Sequence, residues 1–195
     1  MQHAIIGSGN VGSALARQFA RSGIAVGIAN TRGPESLAAL AREAGDKVRP
    51  MSLEDALDAD VVILAVPFRA HAAIALAAEQ WGGKIVVDAM NTYGVAPEEL
   101  QGRASTDLVA SAFLGAKVVK TFNQLPARLL GAVPGEAGGR RVMFVASNDP
   151  AASGAISKLV DDLGFAPVEL GRIDEGGALL DKSGPLVLLN LVKLS

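Results

Sequence analysis

His3-Ala4-Ile5-Ile6-Gly7-Ser8-Gly9-Asn10-Val11-Gly12 carries an apolar strand straight into a GxGxxG turn, and Val11, Leu15, Ala16 and Phe19 recur at helical spacing beyond it. Strand, glycine turn and helix in this order suit a dinucleotide pyrophosphate. Gly7 permits the tight turn, Gly9 lets backbone approach the phosphates, and Gly12 lets the helix pack closely on its strand. Ser8, Asn10 and Val11 complete the loop, and the unpaired amides and dipole of the helix make an anion site without a basic side chain. The plain alternative is a glycine-rich turn that binds nothing. Gly23 closes the helix, and Ile24-Ala25-Val26-Gly27-Ile28-Ala29 reads as a second parallel strand.

The end of that strand separates NAD from NADP, because an acid there accepts hydrogen bonds from the ribose and repels a 2′-phosphate. Asn30-Thr31-Arg32-Gly33-Pro34-Glu35-Ser36 follows, with Asn30 in the expected place and no acid there. Asn30 and Thr31 can donate to a phosphate and the Arg32 guanidinium can pair with it, which favours NADP. The bland alternative makes Thr31 a helix cap and Arg32 a solvated charge.

The rest of the chain bounds the possibilities. Its 195 residues, half of them hydrophobic, suffice for one α/β domain with a small addition. A net charge of −2 with no basic block points away from nucleic acid and from anionic membranes. No cysteine and only two histidines, His3 and His71, argue against disulfides, thiolate catalysis and a metal site. With a strand at the very start there is no room for a signal segment, and apolar runs such as Val61 to Phe68 are too short to span a bilayer, so a cytoplasmic location is expected.

The first strand is followed by alternating elements: a helix from Pro34 to Gly45, a short strand at Lys47–Arg49, a short helix at Ser52–Leu57, and the strongest strand, Asp60 to Pro67. A helix over Phe68–Gln80, strands at Lys84–Asp88 and Lys117–Thr121, a helix over Thr106–Leu114, a strand at Val142–Ala146, a helix over Pro150–Leu163 and a strand at Ala166–Leu170 complete the series. The alternation predicts a Rossmann-type α/β fold: a doubly wound, mainly parallel sheet, with residues 1–125 as the NADP-binding domain and 126–195 as a small C-terminal α/β extension. Loops at Gly7–Gly12, Asn30–Arg32, Ala65–Arg69, Asp88–Tyr93 and Thr121–Pro126 should then converge on one crevice. The glycine-rich stretch Gly131–Gly139 reads as a flap or a plain surface loop, the latter fitting its composition better. The apolar run Gly184–Ser195 requires burial against its own core or across a subunit interface, and a homodimer is expected.

IIGSGNVGSALA, NTRGPESL, VVILAVP, KVVKTFN and SGPLVLLNLVKL together resemble the coenzyme-F420-dependent NADP oxidoreductases, over essentially the full length. The resemblance implies hydride transfer between NADP(H) and a deazaflavin, a reaction in which positioning supplies much of the rate and no dedicated nucleophile is needed. It places the pyrophosphate loop at Ser8–Val11, the 2′-phosphate pocket at Thr31 and Arg32, and the nicotinamide-ribose loop at Val66 and Pro67. The chain departs from the family after the sixth strand, where Phe122-Asn123-Gln124-Leu125-Pro126 replaces a segment resembling leucine-histidine-threonine. F420, a flavin or another small acceptor therefore all stay open as second substrate.

Candidates for the chemistry are few. His71 could donate a proton or be a helix histidine without a role. Asn123 and Gln124 could hydrogen-bond a ring carbonyl. Asp88 and Asn91 could approach the nicotinamide ribose, or Asp88 could cap a turn. Phe122 could stack on a flat ring or fill core, Tyr93 could act as an acid, and Lys120 and Arg128 could attract an anionic tail or be solvated. The leading expectation is an NADPH-dependent reductase; a non-catalytic NADP(H)-binding sensor or partner subunit is the alternative, and a small hydroxy-acid or imine dehydrogenase is a third.

Overall fold

The structure, a computed structural model, describes residues 1–194; Ser195, the last residue of the apolar C-terminal run, lies outside the described residues. Strand β1 (His3–Ile6) leads through the glycine turn into α1 (Asn10–Arg21), and β2 (Val26–Ala29) follows. A 3-10 turn at Pro34–Leu37 and α2 (Ala38–Ala44) lead to β3 (Val48–Pro50); α3 (Leu53–Leu57) and β4 (Val61–Leu64) come next. After α4 (His71–Leu76) the chain forms β5 (Ile85–Asp88), α5 (Ser105–Ala112), β6 (Lys117–Lys120) and the short α6 (Ala127–Leu130). β7 (Gly135–Glu136), β8 (Gly139–Ser147), α7 (Pro150–Asp162), β9 (Ala166–Glu169) and β10 (Val192–Leu194) complete it.

The first six strands are all parallel, in the order β3-β2-β1-β4-β5-β6, and β8 continues the sheet antiparallel to β6. Register explains why the central strands read as unbroken apolar runs. Ile5, Ile63, Val87 and Val119 lie side by side and join one core with Leu15 and Phe19 of α1 and Phe165. Their neighbours Ala4, Val62, Val86 and Val118 form the next row and join the other core with Trp81 and Phe113. Helices cover both faces, so neither row of side chains needs to be polar.

Several elements differ from the sequence reading. In place of one helix over Phe68–Gln80 there is a 3-10 turn at Phe68–Ala70 and then α4, which ends at Leu76. The Trp81 indole donates to the Ala75 carbonyl at 2.9 Å and stacks edge-on against Phe113 at 4.6 Å, so a buried side chain takes over where the helix would have gone on. The Gly131–Gly139 stretch folds into the β7–β8 hairpin, whose connecting residues Ala137 and Gly138 both have positive φ (50° and 80°). Arg141 fastens that hairpin to Val133, Glu136 and Asn190.

The C-terminal run is only partly covered: Leu186 packs against Val142, Phe144 and Leu180, but most of its described leucines are not buried. β10 is an edge strand on β8, and Leu188, Leu189, Leu191 and Leu194 are all exposed. Among the described residues no helix is long and apolar enough to cross a membrane.

Candidate functional site

The glycine turn sits where strand order reverses, between β2 on one side of β1 and β4 on the other, the place where open α/β sheets bind ligands. Its three glycines serve different needs. Gly7 has φ +113°, and a Cβ there would lie 2.2 Å from the Ala65 carbonyl oxygen. A Cβ on Gly12 would lie 1.9 Å from the Gly7 carbonyl oxygen, so both glycines are required by the fold itself. Around Gly9, by contrast, a Cβ would meet no protein atom within 4 Å. Gly9 caps α1 without a side-chain hydrogen bond, and the first turn of α1 has no acid, so the amides there face an open, anion-favouring space.

That space is a hollow of about 530 Å³. Gly7–Gly9, Asn30–Arg32 and Ala65–Pro67 line it, with Leu53, Ala70 of the 3-10 turn before α4, and Ala73 and Ile74 of α4 as an apolar wall. The structure thus brings together Gly7, Ser8 and Gly9 with Asn30, Thr31, Arg32, Val66 and Pro67, while Asn10, Val11 and Gly12, in the first turn of α1, are not among the lining residues. Sequence reading missed the apolar wall; its trace is the apolar side chains at 70, 73 and 74, at helical spacing shortly after Pro67. At the end of β2, the Asn30 carboxamide accepts from the Arg32 amide at 2.8 Å and donates to Ser8 Oγ at 2.9 Å and Ser36 Oγ at 3.0 Å. Arg32 Nη2 is 3.5 Å from the same Ser8 Oγ, and Thr31 and Arg32 are exposed. A concave surface of open amides, hydroxyls and one guanidinium, with no carboxylate among the residues lining the hollow, fits a phosphorylated dinucleotide.

Other candidates stand elsewhere. Asn91 lies outside this hollow and forms a reciprocal pair with Asn123: Asn91 Nδ2 donates to the Asn123 carbonyl and Asn123 Nδ2 donates to Asn91 Oδ1, both at 2.9 Å. Asn123 Nδ2 also donates to the Leu180 carbonyl at 2.7 Å, and the residue is buried. Gln124 is likewise buried: its Nε2 donates to the Val142 carbonyl and its Oε1 accepts from the Phe144 amide, at 3.1 and 2.7 Å. Its carboxamide is spent on the backbone of β8, which corrects its reading as a partner for a ring carbonyl. Phe122 is fully buried with φ +63°, so it fills core and offers no face for stacking.

The reading of Lys120 as a partner for a substrate tail is corrected, and Asp88 takes the turn-capping alternative. Both are buried, Lys120 Nζ lies 3.1 Å from Asp88 Oδ2, and Lys120 also donates to the Met90 carbonyl at 2.7 Å. The Thr106 hydroxyl and the Met90 amide complete the Asp88 carboxylate. Lys120 therefore neutralises a buried carboxylate and attracts no substrate tail, while Asp88 holds the turn after β5.

His71 lines a separate hollow of about 270 Å³ with Phe68, Arg69, Val95, Glu99 and Leu108, on the other side of the turn that walls the first. Its Nδ1 lies 2.6 Å from the Phe68 carbonyl and its ring packs on Phe68 at 4.7 Å. At the rim, the hydrogen bond from Arg69, helped by the Ala96 amide, holds the Glu99 carboxyl down at about 2. Tyr93 is exposed, with Lys182 Nζ 5.8 Å from its ring centre.

A parallel sheet in the order 3-2-1-4-5-6, with an open glycine turn at its switch point and no acid ending its second strand, defines a Rossmann domain of the dinucleotide-binding class. The family described as NADP oxidoreductase, coenzyme F420-dependent, matches residues 2–92. A protein of Arthrobacter sp. FB24 with the provisional name F420-dependent NADP reductase is 30% identical, with 92% of this chain and 90% of that one aligned at a TM-score of 0.75. The chain belongs to this family of NADP-dependent oxidoreductases. A hypothetical protein of Sinorhizobium meliloti is 46% identical over 99% of this chain and 96% of its own, with a TM-score of 0.94. A reductive aminase of Aspergillus terreus, 19% identical, shares the fold at a TM-score of 0.64 over 91% of this chain but 56% of its own. No protein of curated function matches the chain.

Proposed function

We propose that the protein binds NADP(H) in the hollow over the glycine turn and exchanges a hydride between it and a small acceptor, a deazaflavin, a flavin or another flat heterocycle. The observation that carries the reading is Gly9: no described atom comes within 4 Å of where its side chain would lie, which leaves the turn at the sheet's switch point open to a ligand. Family membership and the cationic, acid-free end of β2 support NADP over NAD.

The backbone amides at the start of α1 would hold the pyrophosphate, and Thr31, Arg32 and Ser8 the 2′-phosphate. Leu53, Ala70, Ala73 and Ile74 would exclude water from the adenosine. Val66 and Pro67 would bound the cofactor towards its nicotinamide end. When bound, the reduced nicotinamide supplies the hydride; the chain contributes position, which is the larger part of what such a transfer requires. A homodimer belongs to the same proposal, because the exposed leucines of the C-terminal run have no cover within one chain.

The alternative is a sensor or partner subunit that binds the dinucleotide without chemistry. Stopped-flow mixing of protein and NADPH with F420, FMN or FAD decides between them: oxidation of NADPH at 340 nm coupled to acceptor reduction is expected. Tight NADPH binding with no acceptor reduced across the panel would overturn the enzyme reading.

A further inference from the structure

Resting on the NADP(H) reading above, we infer that Asn30 is a positioning residue that sets the polarity of the 2′-phosphate subsite by turning the Ser8 hydroxyl hydrogen into the hollow. The Asn30 side chain borders the hollow, but its polar atoms are engaged within the protein. Oδ1 accepts the Arg32 amide, which fixes the turn at Thr31-Arg32. The two Nδ2 hydrogens go to Ser8 Oγ and Ser36 Oγ.

The direction of these bonds matters. Ser36 Oγ donates its own hydrogen to the Gly33 carbonyl at 2.7 Å and so is free to accept from Asn30. Ser8 Oγ receives hydrogens from Asn30 and, at 3.5 Å, from Arg32. It accepts from two donors, and its own hydrogen has no acceptor among the described residues. Ser8 lines the hollow, so that hydrogen is a donor available to an anion there, beside the Arg32 guanidinium.

An aspartate at position 30 would keep the bond to the Arg32 amide, but its second oxygen would accept the Ser8 hydrogen in place of donating to Ser8. It would reverse the hydroxyl and add a negative charge. An alanine would leave the hydroxyl free to rotate. Asn30 therefore acts through Ser8, and links the glycine turn to the loop after β2.

The test uses adenosine 2′,5′-bisphosphate and 5′-AMP, which differ only in the 2′-phosphate, with dissociation constants from calorimetry on the full chain. The wild type should prefer the bisphosphate strongly, and Arg32→Ala should lose most of that preference. Ser8→Ala, which deletes a charge-assisted donor, should lower the preference by about ten-fold or more, and Asn30→Ala, which leaves the hydroxyl unoriented, by a smaller factor of about three-fold or more. The double variant should be no worse than Ser8→Ala alone, since without the hydroxyl Asn30 has nothing left to orient. Asn30→Asp, which keeps the turn folded, should abolish the preference while 5′-AMP binding stays within about three-fold of wild type, as no contact to that ligand is lost.

Asn30→Ala with a preference within two-fold of wild type, or effects of Asn30→Ala and Ser8→Ala that multiply, would overturn the inference. A wild type with no preference for the bisphosphate would instead overturn the NADP reading, so the two failures are told apart.

Discussion

Replacing Gly9 and Gly12 by alanine should separate what the glycine turn does for the fold from what it does for a ligand. Gly9 has φ −73° and ψ −168°, an extended conformation that alanine adopts without strain, and its Cβ would meet nothing. Alanine is a poorer N-cap than glycine by up to about 1 kcal/mol. Against this, a narrower unfolded ensemble returns about 0.4–1 kcal/mol. Gly9→Ala should therefore change stability by less than about 1 kcal/mol. Gly12→Ala drives its methyl to 1.9 Å from the Gly7 carbonyl oxygen, a backbone atom that cannot swing away. Overpacking of this kind costs about 1–3 kcal/mol.

On the ligand side the order reverses in meaning. A methyl on Gly9 holds a phosphate away from the first amides of α1, and the loss of one charge-assisted bond of about 1.5–3 kcal/mol raises the NADPH dissociation constant roughly 10- to 150-fold. Urea unfolding and calorimetry on both variants supply the two readouts. If Gly9→Ala binds NADPH as tightly as wild type at unchanged stability, the turn is not the pyrophosphate site.

The buried Asp88–Lys120 pair should be costly to break: Lys120→Met leaves a carboxylate uncompensated in the core and should lower unfolding free energy by about 3–5 kcal/mol. Adding Asp88→Asn should recover much of that loss in the same urea titration, and a single-variant cost below about 1 kcal/mol would mean that solvent reaches the pair. His3 supplies a pH dependence. Burial, and then the nearby N-terminal ammonium, hold its folded-state pKa below the ordinary 6.5. A depressed pKa makes its stability contribution complete above pH 6.5, falling as pH drops through the folded-state value and constant below it. The wild-type curve should show that limb and His3→Gln should lack it; identical curves would refute the assignment.

The sheet and the glycine turn were legible because their signals are local. Buried parallel strands read as unbroken β-branched runs, and a turn that needs positive φ or a missing Cβ must be glycine wherever the rest of the chain lies. The wall of the hollow was less legible, since Ala70, Ala73 and Ile74 look like any apolar helix face until Leu53 is brought opposite them. The roles of Lys120 and Asp88 were hidden for a different reason: β5 and β6 are separated in sequence by a helix, and only the register that sets Asp88 beside Lys120 turns two charges into one neutral pair. A charge at a strand end reads as solvated unless its partner is known.

The stretch after β6 shows where a polar motif misleads. Asn123 and Gln124 have the composition of a binding loop, yet the sheet needs them. Between β6, which pairs with Ala146 and Ser147, and β10, which pairs with residues 139–141, the Val142 carbonyl and Phe144 amide of β8 have no strand opposite them. Gln124 supplies that missing rung with one carboxamide, acceptor for donor and donor for acceptor. Reaching it requires the chain to turn sharply after Thr121, which accounts for a fully buried Phe122 at φ +63°, a conformation costing about 1–3 kcal/mol. At the same turn Thr121 Oγ1 and Asn123 Oδ1 are buried with no hydrogen-bond partner among the described residues. Strain and orphaned polar atoms thus gather in three successive residues at the carboxyl edge of the sheet. They accompany the Gln124 rung that completes β8.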